Sequence, residues 1–390
     1  GCPPLREPGI GRQQFVNLRG AATNAYAVPD FSHGGSLNVL ATLGIRKIGA
    51  DEVFFFILRY DPSFCRNTSP GTIFLARIWG SYHSRYIMIQ WYPGHMHKAS
   101  KAFSKILPQV DLVIEVLDAR LPGSSENPML ARLRRDKPCI KLLNKSDLSD
   151  PGQLAQWVAC LEHQNLVKTL VCSLGDNSIF ELPKLCRALV PRRDNRTSMI
   201  YAMIAGIPNV GKSTLINRLA ARRIAKTGNE AALTRMQQRI EISSELTLID
   251  TPGMLWPNIE NEASGYRLAA TGAIRDTALE IQEVASFVAE FLLKTYPERL
   301  LQRYGIEPLP QTAIELLEAI ARNRGCIVSG GRVDLEKVSR LLINELRSGE
   351  LGGICMETPA GFAAECEQVE VIRADKAARK EARKALRHKR

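Results

Sequence analysis

Gly206-Ile207-Pro208-Asn209-Val210-Gly211-Lys212-Ser213-Thr214 is the stretch on which the reading of this chain turns. It is a complete GxxxxGKS pattern. Residues 199–205 (Met-Ile-Tyr-Ala-Met-Ile-Ala) precede it and read as a buried strand; residues 215–221 follow as a helical run. Strand, glycine loop and helix in that order aim backbone N–H groups and the positive end of a helix at one spot, which suits phosphate. Asn209, Val210, Gly211 and Thr214 are expected around the phosphates, Lys212 on the β and γ phosphates, and Ser213 on Mg²⁺. This loop alone leaves the base undecided.

The base is addressed elsewhere. Residues 138–143 (Pro-Cys-Ile-Lys-Leu-Leu) form a short apolar run ending at Asn144-Lys145-Ser146-Asp147. A carboxylate at Asp147 can accept from both N1–H and the N2 amino group of guanine; beside adenine it would be left unpaired, a costly mismatch. Asn144 is expected to bond the base edge and tether neighbouring loops, with the Lys145 stem along the ring. Residues 167–172 read as a further strand ending at Ser173-Leu174. That pair resembles the Ser-Ala element that closes over the base, with Leu174 where a small residue is usual.

Residues 246–249 form another strand and lead into Asp250-Thr251-Pro252-Gly253. Asp250 is expected to hold Mg²⁺ through water, and the Gly253 N–H to sense the γ-phosphate. Thr234 is the candidate switch threonine and a further Mg²⁺ ligand. Ordinary GTPases run phosphate loop, switch threonine, DxxG, NKxD, Ser-Ala; here NKSD and Ser173 come first. The order predicts an α/β fold, a P-loop GTPase sheet with helices on both faces, circularly permuted and followed by a small all-α domain. Such a cut is tolerated when the original ends lie close together on the surface.

The remainder of the chain sets limits. Of 390 residues, 45% are hydrophobic and 24% charged, ordinary for a soluble globular protein. No run approaches the length that spans a bilayer. Nine cysteines without CxxC pairs suit a reducing compartment and argue against a disulfide framework or zinc site. The net charge of +12 sits at the ends: residues 1–87 carry nine Lys/Arg against five Asp/Glu, and residues 373–390 carry nine against two. The tail reads as a helix or a disordered arm, either a solvated end or a phosphate-contacting one. Residues 1–87 begin at Gly1, cluster Pro, Gly and Ser, and show no sustained period. They read as an atypical extension, such as a mis-set start, with the working protein beginning at Met88. Residues 88–255 are then the permuted nucleotide domain, 256–350 a helical domain with apolar stripes over 277–295, 311–321 and 335–346, and 351–390 a linker and basic tail.

From Met88 to about residue 360 the chain resembles the RbgA/YlqF group of circularly permuted GTPases. The resemblance rests on Trp91-Tyr92-Pro93-Gly94-His95-Met96, Asp118-Ala119-Arg120-Leu121-Pro122, NKSD, GIPNVGKST, Thr234-Arg235-x-Gln237-Gln238 and DTPG. It implies a monomeric bacterial cytoplasmic factor, with a mitochondrial relative, that binds GTP/GDP and Mg²⁺ and serves late maturation of the large ribosomal subunit. The large subunit and its rRNA would be its partners, and no membrane is involved. Met254 stands where Ras-like enzymes carry a water-orienting glutamine, and methionine cannot orient water. By resemblance His95 is the catalytic candidate beside Lys212, swinging in when the ribosome orders its segment; the alternative is a turn that packs Trp91. Asn209 matches the asparagine that helps seat K⁺ in potassium-stimulated GTPases. Ala231-Ala232 replaces the family's Pro-Gly, and Asp118-Ala119-Arg120 has no assigned chemistry. Hydrolysis as a timer for ribosome release is the leading account. A nucleotide-gated RNA-binding protein with incidental hydrolysis is the other, and NKSD disfavours a metabolic ATPase.

Overall fold

The structure, a computed structural model, describes residues 94–190, 199–221, 238–278 and 280–388. The extension 1–87, residues 91–93 of the WYPGHM motif, Thr234 to Gln237, and residues 389–390 lie outside the described residues.

Six strands make one sheet: β1 (Leu112–Asp118), β2 (Cys139–Asn144), β3 (Val167–Val171), β4 (Ile200–Gly206), β5 (Gln238–Ser243) and β6 (Leu246–Asp250), in the order β3-β2-β1-β4-β6-β5. All neighbours are parallel except β5, which runs antiparallel to β6. Every residue of β1, β2 and β6 is buried. Strands buried on both faces need cover on both sides, which is why they read as continuous apolar runs rather than alternating ones. The cover comes from α1 (Gly94–Ile106), α3 (Pro128–Arg134), α5 (Leu182–Leu189) and α6 (Lys212–Leu219), which send Phe103, Leu130, Leu182 and Leu215 into the main core. A smaller cluster joins Leu117 and Leu143 of the sheet to Leu154, Trp157 and Leu161 of α4 (Pro151–Glu162).

The chain crosses the sheet outward through β1, β2 and β3, then returns to β4 beside β1 and goes out the other way. That reversal leaves a crevice at the carboxyl ends of β1 and β4, where open α/β sheets bind ligands. The register brings the motif residues to that edge: Asp118 pairs with Asn144, Val116 with Gly206, and Ile204 with Asp250.

After β6 the chain is helical: α7 (Glu262–Ala270), α8 (Ile281–Thr295), α9 (Pro297–Tyr304), α10 (Ala313–Arg324) and α11 (Leu335–Ser348). The stripe read over 277–295 supplies Ile281, Val284, Ala285, Val288 and Leu292 to a second core, with Phe287 and Phe291 packed against it. The helix itself starts four residues later than expected, after a 3-10 turn at Asp276–Ala278. Helix α7 is shared: Leu268 enters the main core, while Tyr266, Ala269 and Ala270 enter the second. The main core also takes Ile259, Ala273 and Ile274, so it extends beyond residue 255.

Residues 351–357, read from sequence as part of a linker, are instead packed into the body. Leu351, Ile354, Cys355, Met356 and Glu357 are all buried. The Ile354 N–H donates to the Leu148 carbonyl at 3.0 Å and the Met356 N–H to the Arg120 carbonyl at 2.7 Å. The tail then forms one helix, α12 (Pro359–His388), whose Phe362 meets Trp157 edge-on at 5.8 Å between ring centroids.

Candidate nucleotide site

The phosphate loop leaves β4 at Gly206 and enters α6 at Lys212. Asn209 has φ 55° and Gly211 φ 99°, two left-handed turns of the backbone within one short loop. A side chain at Gly211 would be strained by that φ and would collide with the Asn144 amide. Lys212 is folded over its own loop, its Nζ donating to the Gly206 and Ile207 carbonyls at 3.1 Å each. Burial pulls its ammonium down to about 8, and Asp250 opposes that pull.

Asp250 ends β6 with both carboxylate oxygens buried and, among the described residues, no well-formed hydrogen bond to either. Burial pushes its carboxyl up to about 6; Lys212 and, weakly, the Thr251 N–H pull the other way. A buried carboxylate left without a partner is costly unless a cation meets it. With the Ser213 hydroxyl on the first turn of α6, the donor set fits a hard, oxygen-seeking cation such as Mg²⁺. The DTPG turn then crosses the loop. The Thr251 hydroxyl donates to the Ile204 carbonyl at 2.8 Å and the Met254 N–H to the Gly206 carbonyl at 3.1 Å. A Cβ on Gly253 would stand 3.0 Å from Pro208 Cα and 3.2 Å from Lys212 Nζ. Met254 itself is buried in the main core.

NKSD follows β2 and is bound directly to the phosphate loop. Asn144 Nδ2 donates to the Val210 carbonyl at 2.7 Å, and its Oδ1 accepts from the Cys172 thiol at 3.7 Å. Lys145, itself left-handed at φ 62°, donates from Nζ to the Asn209 carbonyl and to Asp118 Oδ2, both at 2.9 Å. Asp147 is exposed on the 3-10 turn Ser146–Leu148, with Ser146 N–H anchored on the Cys172 carbonyl at 3.2 Å. Strand ends that adjoin in the sheet thus bring Asn144, Lys145, Val210 and Lys212 to one edge.

Ser173 follows β3 and is buried, but its N–H and hydroxyl both donate to Asp176 Oδ2 at 2.9 Å. Its carbonyl and that of Leu174 accept instead from Arg218 of α6, at 3.0 and 2.8 Å. Leu174 is exposed. The Asn209 amide nitrogen donates to the Gly272 carbonyl at 2.8 Å, joining the phosphate loop to the turn after α7. His95 lies on the first turn of α1, whose next residue, Met96, is in the main core; its side chain lies outside the described residues.

Two contacts had no role in the sequence reading. Asp118 is fixed by Arg120 through paired bonds of 2.9 and 2.8 Å, and it receives Lys145 as well. Burial pushes the Asp118 carboxyl up, but Arg120 and Lys145 together hold it well below the usual carboxylate range. The signal was the alignment of two strand ends, visible only once β1 and β2 are known to be neighbours. Arg218 on the Ser173 turn carried no signal beyond being a helical cation.

Among proteins of known kind, a family model described as 50S ribosome-binding GTPase matches residues 201–322. The chain is 43% identical over 293 residues to ribosome biogenesis GTPase A of Bacillus cereus, covering 73% of this chain and 99% of that protein. It is 42% identical over 280 residues to the protein of that name from Priestia megaterium, covering 70% and 97%. The GDP-bound structure of TM YlqF is similar at 27% identity and a TM-score of 0.50, covering 66% of this chain and 99% of that one.

Proposed function

Because the chain belongs to the ribosome biogenesis GTPase A (RbgA/YlqF) family, and so is a GTPase of ribosome assembly, we propose that it serves late maturation of the large ribosomal subunit. In this reading the ribosome stimulates hydrolysis, and hydrolysis releases the factor. The observation that supports the site is the bonding of Asn144 and Lys145 to the Val210 and Asn209 carbonyls, which ties the NKSD turn to the glycine loop.

Each residue then has a task. Asp147 accepts from the guanine edge, Asn144 braces the base loop against the cradle, and the Lys145 stem lies along the ring. The N–H groups of Asn209, Val210, Gly211, Lys212, Ser213 and Thr214 surround the phosphates, and the Lys212 ammonium moves from its two carbonyls onto the β and γ oxygens. Ser213 and Asp250, with Thr234, would hold Mg²⁺, which would neutralise phosphate charge. The Gly253 N–H, beside Lys212, reads the γ-phosphate. Ser173 would support the base loop by fixing its own turn, since Asp176 holds its N–H and hydroxyl and Arg218 its carbonyl. Asn209 would reach K⁺ through its amide oxygen, the nitrogen being engaged with Gly272.

Met254 is buried and cannot orient a nucleophilic water, so the protein alone should turn over slowly, with His95 supplying the missing group on the ribosome. The protein would act in the bacterial cytoplasm with its ribosome, as the bacterial relatives support, and it would do so as a monomer. The test is GTP turnover with and without purified large subunits. A rise of about tenfold or more, lost in His95→Ala, is the expected result. No rise removes the timer. Full stimulation in His95→Ala removes His95, and undiminished assembly by a binding-competent, hydrolysis-dead variant leaves a nucleotide-gated RNA binder.

A further inference from the structure

The Asp118-Ala119-Arg120 element closes β1 between the two strands that carry the nucleotide motifs. Both its charged side chains are buried, at 1% and 2% exposure, although neither belongs to a recognised nucleotide-binding motif. Their bonds form a chain. The Arg120 fork and its N–H hold both Asp118 carboxylate oxygens, at 2.8 to 3.1 Å. Asp118 Oδ2 in turn receives Lys145 Nζ, whose other acceptor is the Asn209 carbonyl of the phosphate loop. Arg120 is seated from the far side by the C-terminal region. Its Nη1 donates to the Leu346 carbonyl at 3.4 Å, and its own carbonyl accepts the Met356 N–H. The same C-terminal segment bonds Leu148, one residue past NKSD, through Ile354.

We propose that Asp118 and Arg120 are positioning residues for guanine-nucleotide retention, fixing Lys145 in place and linking its seat to segment 346–356 of the helical region. The proposal rests on the reading of NKSD as the guanine site. A lysine ammonium is a compact charge on a four-carbon stem with large rotamer freedom, so an unheld Lys145 would have to be ordered when the nucleotide binds. Asp118 and the Asn209 carbonyl order it beforehand. An Asp118 held only by Lys145 could swing with it; the planar, two-pronged Arg120 contact removes that freedom. Nucleotide retention thereby becomes sensitive to whether segment 346–356 is docked.

The experiment is the dissociation of a fluorescent GDP from the full chain, at a temperature well below every variant's melting point. Asp118→Asn, Arg120→Lys and Lys145→Met should each speed release by about tenfold, the size of one charge-assisted contact. In the Lys145→Met background, Asp118→Asn or Arg120→Lys should add less than about twofold, because the group they position is gone. Equal effects in both backgrounds would mean a general structural role and overturn the proposal. So would unchanged release from the single variants. If Asp118→Asn does not fold, Arg120→Lys with Lys145→Met completes the same cycle. Asp147→Asn separates the two readings: exchanging a carboxylate for an amide should shift preference from GDP to xanthosine diphosphate. If that shift occurs while release from the Asp118 and Arg120 variants is unchanged, the positioning proposal alone fails. If Asp147→Asn keeps GDP preference, the guanine reading fails first.

Discussion

Asp250 shows how burial can set a single carboxylate against the fold. Its carboxyl lies near 6, above the value near 4 of an unfolded chain, because burial outweighs the attraction of Lys212. A carboxyl that binds its proton more tightly when folded favours folding at low pH. That contribution should be lost as pH rises from about 4 through about 6, up to about 3 kcal/mol. Urea melts of the protein without Mg²⁺ or nucleotide should show this loss, and Asp250→Asn should flatten that window. The same variant should no longer gain stability from Mg²⁺ with GDP. Retained stabilisation would place the cation elsewhere. Lys212 behaves in the opposite sense: its ammonium, lowered to about 8, destabilises the fold below that pH and ceases to do so as pH rises toward its ordinary value.

At the scale of elements, the strands were legible and the docking of the C-terminal segment was not. Residues 139–143 and 246–249 are apolar runs ending in motif residues, and a doubly covered parallel strand looks like that in sequence. Strand β5 escaped notice because it is an edge strand with only Ile240 fully buried. The motifs say where to expect the site, since their chemistry depends on backbone turns close in sequence. Asp118 with Lys145, and Arg120 with Leu346, depend on contacts 27 and 226 positions apart, and nothing local announces them. Glu357 is another such contact. Buried, it accepts from the Ser124 N–H at 2.9 Å, from the Ser124 hydroxyl, and from Arg267 at 3.3 Å, tying the end of the helical region to α2 (Pro122–Ser125). Burial pushes its carboxyl up, against the pull of Arg267. Glu357→Ala strands those donors and should cost about 3 kcal/mol in urea unfolding, the low end for a broken buried pair because Arg267 keeps Glu365. Glu365→Ala, at a half-buried site, should cost clearly less; the reverse order would mean that Glu357 is not what holds the segment down.

For the whole molecule, charge and connectivity matter most. Helix α12 leaves the body with Lys376, Arg379, Lys380, Arg383 and Lys384 exposed, at spacings that put all five on one face. If that face meets rRNA, truncation after Arg373 should weaken binding to large subunits and flatten its dependence on salt, by about three to four in the log–log slope. An unchanged slope would return the tail to a solvated role. Connectivity acts at the other end of the helical region. Residues 254–261 join DTPG to α7, and eight residues reach at most about 28 Å when fully drawn out. Met254, Leu255 and Ile259 are already sunk in the main core, so little of that length is slack. A GTPase in the usual order returns from this switch to its own sheet and can absorb a small shift there. Here the leash is short and its far end is a wall common to both cores, so any step at Gly253 would become a tug on five helices.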